Sequence, residues 1–438
     1  MVLLENVDVV IRGGVVLPMM ERGAIDEGLV AIKKDAIVYV GKASKSPKFN
    51  AERVIEGKGK AVMPGLVNCH THVSMTLFRG LAEDQPLPRW LKETIWPLEA
   101  KLKPEDIYTG ALLGCLEMLK TGTTCFADMY FHEDMVAKAV QELGLRATLA
   151  PGIIESQNAM QTEKILNEGI TTAMKLHATA QGRIRFQLGP HAVYSCSPEL
   201  LKRIHEAALK LRVGLHIHLA ESMDLARQVK EKYGVTETRL LKKIGFLGPN
   251  LLAAHCIYLS NREIKTLAKH QVKVAYNPVA NMKLAQGTPK IVDLVKAGVS
   301  VGIGTDGPAS NNSLDMFQTV KTASLLQKAR YGDSTVLPAH QALAMATREG
   351  AKVLGIENIV GTLESGKKAD LIIIDLKKPH LSPVHDIYAN LVYSATGSDV
   401  DTVIVNGKIL MENRQVTVAD EEKILKKAQK TAQNLLVR

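Results

Sequence analysis

The chain has 438 residues, of which 46% are hydrophobic and 23% charged, with a formal net charge of +10. This is enough apolar material for a large core, yet no stretch approaches the roughly 20 uninterrupted apolar residues that a bilayer span needs, so no membrane partner is expected. The lysines lie along helix-like segments, as at Lys242-Lys243 and Lys426-Lys427, without interleaved aromatics. They read as a solvated basic surface rather than a nucleic-acid groove.

Acidic residues interrupt the start, which lacks the basic-then-apolar layout of a signal peptide and favours a cytoplasmic protein. Five scattered cysteines with no Cys-x-x-Cys pair read as buried thiols. Residues 1–60 read as short strands: 7–11, a turn at Arg12-Gly13-Gly14, then 15–17, followed by a hairpin of 29–32 and 36–40 around Lys33-Lys34-Asp35.

From 61 to 355, eight apolar runs alternate with helix-like segments: 62–70, 123–128, 145–150, 184–189, 213–219, 251–256, 272–276 and 299–305. Eight βα repeats of this size predict a (β/α)8 TIM barrel, whose reactive groups gather at the C-terminal strand ends. Residues 356–438 return to β texture, with a strand at 369–375 and a hairpin at 403–410 whose Asn406-Gly407 suits a tight primed turn. The simplest α/β fold pairs the two ends, 1–60 and 356–438, as one small β-sandwich beside the 61–355 barrel. Leu425, Ala428, Ala432 and Leu435 at helical spacing predict a closing helix over 419–436.

The chemistry lies at the predicted strand ends. His70 and His72 are spaced i, i+2, which puts both imidazoles on one side of a strand, where they can grip one metal ion. An isolated His-Thr-His is more often two polar residues in a loop. Three later strand ends, at His218, His255 and Asp306, supply the residue types that complete a zinc site. Period two also puts His216 on the face of His218, and spacing alone does not choose between them.

The segment Pro64-Gly65-Leu66-Val67-Asn68-Cys69-His70-Thr71-His72, followed by Met75, Phe78, Arg79-Gly80 and Trp90, resembles the metal-dependent amidohydrolase superfamily. Within it, the match is to the branch of the 5-methylthioadenosine/S-adenosylhomocysteine deaminases. The resemblance implies metal ligation by His70, His72, His218 and Asp306, with the family's His-x-x-Glu falling on His218 and Glu221. His216 is then an interior polar residue. Binuclear relatives carry a lysine at the end of the fourth strand, where this chain has Leu188-Gly189-Pro190-His191, so one divalent ion per chain is expected. Zinc is the first choice, with iron satisfying the same ligands. Zinc brings the pKa of bound water to about 7, which makes hydroxide the expected nucleophile.

By the same resemblance, Glu221 carries the proton to the substrate ring, His255 and Asp306 polarise the attacking water, and Glu99 and His191 contact the substrate. A carboxylate at Glu99 can accept both ribose hydroxyls, which favours a nucleoside over a free base. The apolar stretch 75–96 is expected to wall the adenine and its 5′ substituent. The implied reaction is hydrolytic deamination of a 5′-substituted adenosine, in a protein expected to form homo-oligomers. One departure stands out. Relatives that accept S-adenosylhomocysteine carry an arginine near the end of the third strand, whereas this chain reads Leu149-Ala150-Pro151-Gly152. Small neutral tails are therefore expected over homocysteine. The rival readings are a guanine, cytosine or triazine hydrolase on the same scaffold, and a barrel that only binds.

Overall fold

The computed structural model describes residues 5–81 and 83–438. Its centre is a ring of eight parallel strands: Leu66–Thr71, Thr123–Tyr130, Arg146–Ile153, Ile184–Pro190, Gly214–Leu219, Leu251–His255, Lys273–Tyr276 and Val301–Ile303. They coincide with the eight apolar runs because strands covered on both faces need continuous hydrophobicity. Helices cover the outside, and local chemistry sets their ends. Pro198–Leu211 starts where Ser197 Oγ accepts from the Leu200 amide and proline takes the first helical position. It buries Leu200, Leu201, Ile204 and Ala208 against the ring and stops where Arg212 turns left-handed.

Side chains and glycines close the seam between the last and first strands. The Asp306 amide donates to the His70 carbonyl at 2.9 Å. The Asn68 side chain accepts from the Thr305 amide at 3.0 Å and donates to Thr305 Oγ1 at 2.7 Å. A Cβ on Gly302 would lie 2.4 Å from Cys69 Sγ, so the close approach of the two strands depends on glycine there.

The chain ends form one nine-stranded mixed sheet. Lys60–Pro64 is its hinge, antiparallel to Leu371–Asp375 and parallel to the end of Glu5–Val16. Apolar residues of both chain ends, including Ile11, Ile32, Val62, Ile373 and Ile404, pack into one cluster. The Asn406-Gly407 turn forms as expected, with φ of 51° and 75°.

Three local expectations change. The predicted 62–70 strand is two strands broken at Gly65, where the chain passes from end sheet to barrel and a Cβ would lie 2.0 Å from Thr124 Oγ1. Arg12-Gly13-Gly14 is a bulge within one long strand, and the register shift lets its first half pair with Phe49–Glu56 and its last residues with Lys60–Pro64. The closing helix, Glu421–Leu436, buries Ile424, Ala428 and Leu435, while Leu425 is 53% exposed.

A buried ion pair joins barrel and end sheet. Arg146, at the start of the third barrel strand, donates to both carboxylate oxygens of Asp370 at 2.8 and 3.0 Å, and Asp370 also accepts from the Asn406 amide. Removing one partner leaves the other charge buried and alone. Arg146→Ala is expected to cost about 3–5 kcal/mol of stability, read as a lower urea midpoint. A midpoint equal to wild type would refute this.

Candidate active site

The predicted site residues converge at the C-terminal rim of the barrel. His70 lies near the end of the first strand and His72 just after it, His218 lies in the fifth, His255 ends the sixth, and Asp306 follows the eighth. His70 Nε2 and His72 Nε2 lie 3.4 and 3.3 Å from Asp306 Oδ1, and His218 Nε2 lies 3.3 Å from His72 Nε2. Ala220, His255, Cys256 and Asp306 adopt φ between 50° and 73°, the left-handed region that costs energy for residues with a Cβ. These turns swing the chain off each strand and over the rim.

The histidine tautomers follow from their partners. His72 Nδ1 donates to the Met129 carbonyl at 2.6 Å, and His218 Nδ1 donates to the His191 carbonyl at 2.8 Å. A carbonyl only accepts, so both Nδ1 atoms carry protons, and in the neutral ring each Nε2 presents a lone pair. Facing each other at 3.3 Å, those lone pairs need a cation or a proton between them. His70 Nδ1 is paired with His216 Nε2 at 2.9 Å, which turns His70 Nε2 toward the same point, buried and without a partner.

Ligand atoms of His70, His72 and His218, and those of His70, His255 and Asp306, lie within 4.8 Å of one another. Imidazole nitrogens and one carboxylate in this arrangement fit a zinc-type divalent ion, with second partners fixing each ring. His255 Nε2 is also buried without a partner, so the donor set by itself does not separate His255 from His218 as a ligand.

His72, His218, His255 and Asp306 of the cluster line one wall of a cavity. Glu221, in the turn after the fifth strand, has Oε1 3.8 Å from His255 Nε2. Burial raises its carboxyl pKa, and His255 opposes the shift. His191 lines the cavity, held by Ser195 Oγ at 2.8 Å, and burial brings its pKa down to about 3. Glu99 lines it as well, accepting from the Tyr130 hydroxyl at 2.7 Å. Leu87, Trp90, Leu91, Ile95 and Trp96 supply the apolar wall expected of the 75–96 stretch, whereas Phe78 packs into the core and Arg79 pairs with Glu117.

Charge at the cluster is uneven. Burial lowers His70 to about 4. Burial also pushes His72 down, but Asp306 and Asp128 outweigh it and leave His72 raised to about 9. Burial would raise Asp306, yet its contacts to His70 and His72 hold it well below the ordinary range. A bound cation would replace the proton that this balance puts on His72.

Sequence reasoning missed the supports. His255 Nδ1 is paired with Asn281 Oδ1 at 2.8 Å, and Ser310 Oγ donates to Asp306 Oδ2 at 2.8 Å. Asn281 and Ser310 follow the seventh and eighth strands, a position that could have flagged them, but nothing in their spacing distinguishes them from loop residues.

Residues 61–410 match the model of the Amidohydrolase family, and the chain belongs to that family. It is similar to a protein of Methanosarcina acetivorans named 5′-deoxyadenosine deaminase, 49% identical over 432 residues that cover 98% of this chain and 99% of the relative. A Moorella thermoacetica protein named 5-methylthioadenosine/S-adenosylhomocysteine deaminase is 52% identical over 401 residues, 91% of this chain and 93% of that one. The crystal structure of an adenosine deaminase from Xanthomonas campestris with bound zinc superposes with a TM-score of 0.96 at 32% identity, covering all of both chains.

Burial of Glu99 has a measurable cost. It pushes the carboxyl pKa to about 7 from an ordinary 4.5, against the opposing bond from Tyr130. Between those values the folded state holds more protons than the unfolded state, so this group's contribution to stability falls as pH rises through the window. Glu99→Gln, which has no charge to bury, is expected to stabilise the metal-free protein at pH 8 and to give no gain below pH 4.5. Urea unfolding across that range checks it, and a gain independent of pH would refute it.

Proposed function

We propose that the protein hydrolyses the 6-amino group of 5′-substituted adenosines, releasing ammonia and the inosine analogue. The observation that carries this reading is the cluster of imidazole lone pairs and Asp306 at a cavity that Glu221 and Glu99 also line. The deaminase names of its full-length relatives point the same way.

In this reading His70, His72, His218 and Asp306 hold one divalent ion, zinc by choice of donors. The ion supplies Lewis acidity and lowers the pKa of a water toward about 7. Glu221 takes the proton of the attacking water and delivers it to the purine ring nitrogen. Its raised pKa suits both halves of the transfer. His255 and Asp306 orient the water, and Asn281 fixes the His255 ring. Glu99 accepts the ribose hydroxyls, His191 contacts the nucleoside, and the Trp90 and Trp96 side of the cavity excludes water from the purine and 5′ group.

The 5′ group is read from charge. Among the described residues, no lysine or arginine lines this cavity. Arg183 donates to the Leu145 carbonyl and Arg185 to the Gly355 carbonyl, around the start of the fourth strand and so at the opposite mouth of the barrel. The Pro151 ring packs toward Gly169 on the outer helix, and Gly152 is the third-strand residue that lines the cavity. Within this cavity an amino-acid carboxylate on the substrate lacks a cationic partner, and Lys164 lines only the adjoining pocket, which favours hydrogen or methylthio at the 5′ position.

Purified protein is expected to carry about one divalent ion per chain by elemental analysis and to lose ammonia release on chelation, with recovery on zinc addition. Two tightly held ions per chain would overturn the mononuclear reading. For the tail, kcat/KM for 5′-deoxyadenosine or methylthioadenosine is expected to exceed that for S-adenosylhomocysteine by roughly tenfold to a hundredfold, the scale of one missing charge-assisted bond. Gly152→Arg is expected to narrow the gap. S-adenosylhomocysteine performing equally well in the native protein would overturn it.

A further inference from the structure

Glu237, a carboxylate outside the cavity, points to a second determinant of proton transfer. It sits in the first turn of the helix Glu237–Lys243, buried, and no family-derived role falls on it. Its Oε2 accepts the Ala220 amide at 2.9 Å. Ala220 is the left-handed residue, φ 50°, that turns the chain from the fifth strand into Glu221. The Ala220 carbonyl is held too, accepting from the Ile257 and Tyr258 amides at 3.0 and 3.1 Å, while the Cys256 amide donates to Leu219 at 2.9 Å.

The turn carrying Glu221 is thus stitched on one side to the turn carrying His255, and on the other the Glu237 carboxylate holds the Ala220 amide. An alanine does not stay left-handed without such restraint. We infer that Glu237 is a positioning residue for Glu221: its hydrogen bond to the Ala220 amide fixes the left-handed turn that keeps the Glu221 carboxyl 3.8 Å from His255 and in the cavity lining.

The choice of a carboxylate fits this task. Glu237 is pushed to about 7 by burial, against the Ala220 bond and with Glu221 and Glu263 as neighbouring like charges. A residue kept only for packing would not carry a group so costly to bury. Glutamine preserves the length and the accepting oxygen without the charge, and aspartate keeps the charge but falls short of the amide.

The inference rests on Glu221 as the proton carrier, so Glu221→Gln is measured in parallel on zinc-loaded protein with 5′-deoxyadenosine. That variant is expected to lose at least about a hundredfold in kcat, the scale of acid–base catalysis. If it does not, the reading of Glu221 fails first. Given that loss, Glu237→Ala is expected to lower kcat at least about tenfold, the scale of a displaced reacting group, with KM and bound zinc within about threefold of wild type. Glu237→Gln is expected to restore most of kcat. Should the alanine variant not fold, Glu237→Asp supplies the same test. A wild-type kcat in the alanine or aspartate variant overturns the inference, as does a loss of zinc or rise in KM that matches the fall in kcat, or a glutamine variant as slow as alanine.

Discussion

The site depends on one electrostatic constraint: imidazole lone pairs are forced to face each other in a buried place. His72 and His218 cannot relieve the conflict by changing tautomer, because the carbonyls of Met129 and His191 require a proton on each Nδ1. His216 imposes the same direction on His70. Those partners belong to, or directly follow, the second, fourth and fifth strands, so the register of the barrel sets the geometry of the candidate metal site. A one-residue slip in any of these strands would turn the ring or its acceptor to the other face.

A second feature is where the backbone is strained. Whereas other left-handed residues such as Arg212 and Asn406 end helices or form turns, Ala220, His255, Cys256 and Asp306 take this conformation at the rim. Each is restrained by bonds to a neighbouring turn, as in the Asp306 amide to His70 and the paired amides on Ala220. Strain held by neighbours in this way pre-organises side chains that must meet from different strands. The stability of the barrel comes from continuous apolar burial and from joints such as Arg146 with Asp370.

Much of this could be read directly from the chain. The eight strands were legible because each must be apolar on both faces, and His70 with His72 because a strand has period two. The breaks were not. Gly65 and Gly13 interrupt or bulge strands for reasons of contact, with Thr124 in one case and a change of pairing partner in the other, and no local pattern encodes the distant partner. The closing helix was offset because Ile424 and Leu425 are equally apolar, and only the surface beneath decides which is buried.

The sequence by itself determined the kinds of group available: the histidines, Asp306, Glu221 and Glu99, the apolar stretch before Trp96, and the missing arginine of the third strand. These are matters of composition and short-range spacing, which local periodicity carries. Tertiary structure alone decided that Gly152 rather than Pro151 faces the cavity, that Arg183 and Arg185 lie at the opposite mouth, and that His216 supports His70. It also decided that Glu237 reaches back to Ala220. The physical reason is that ring closure brings together strand ends separated by up to some 240 residues, as His70 and Asp306 are, and the contacts made across that distance leave no periodic trace in the chain.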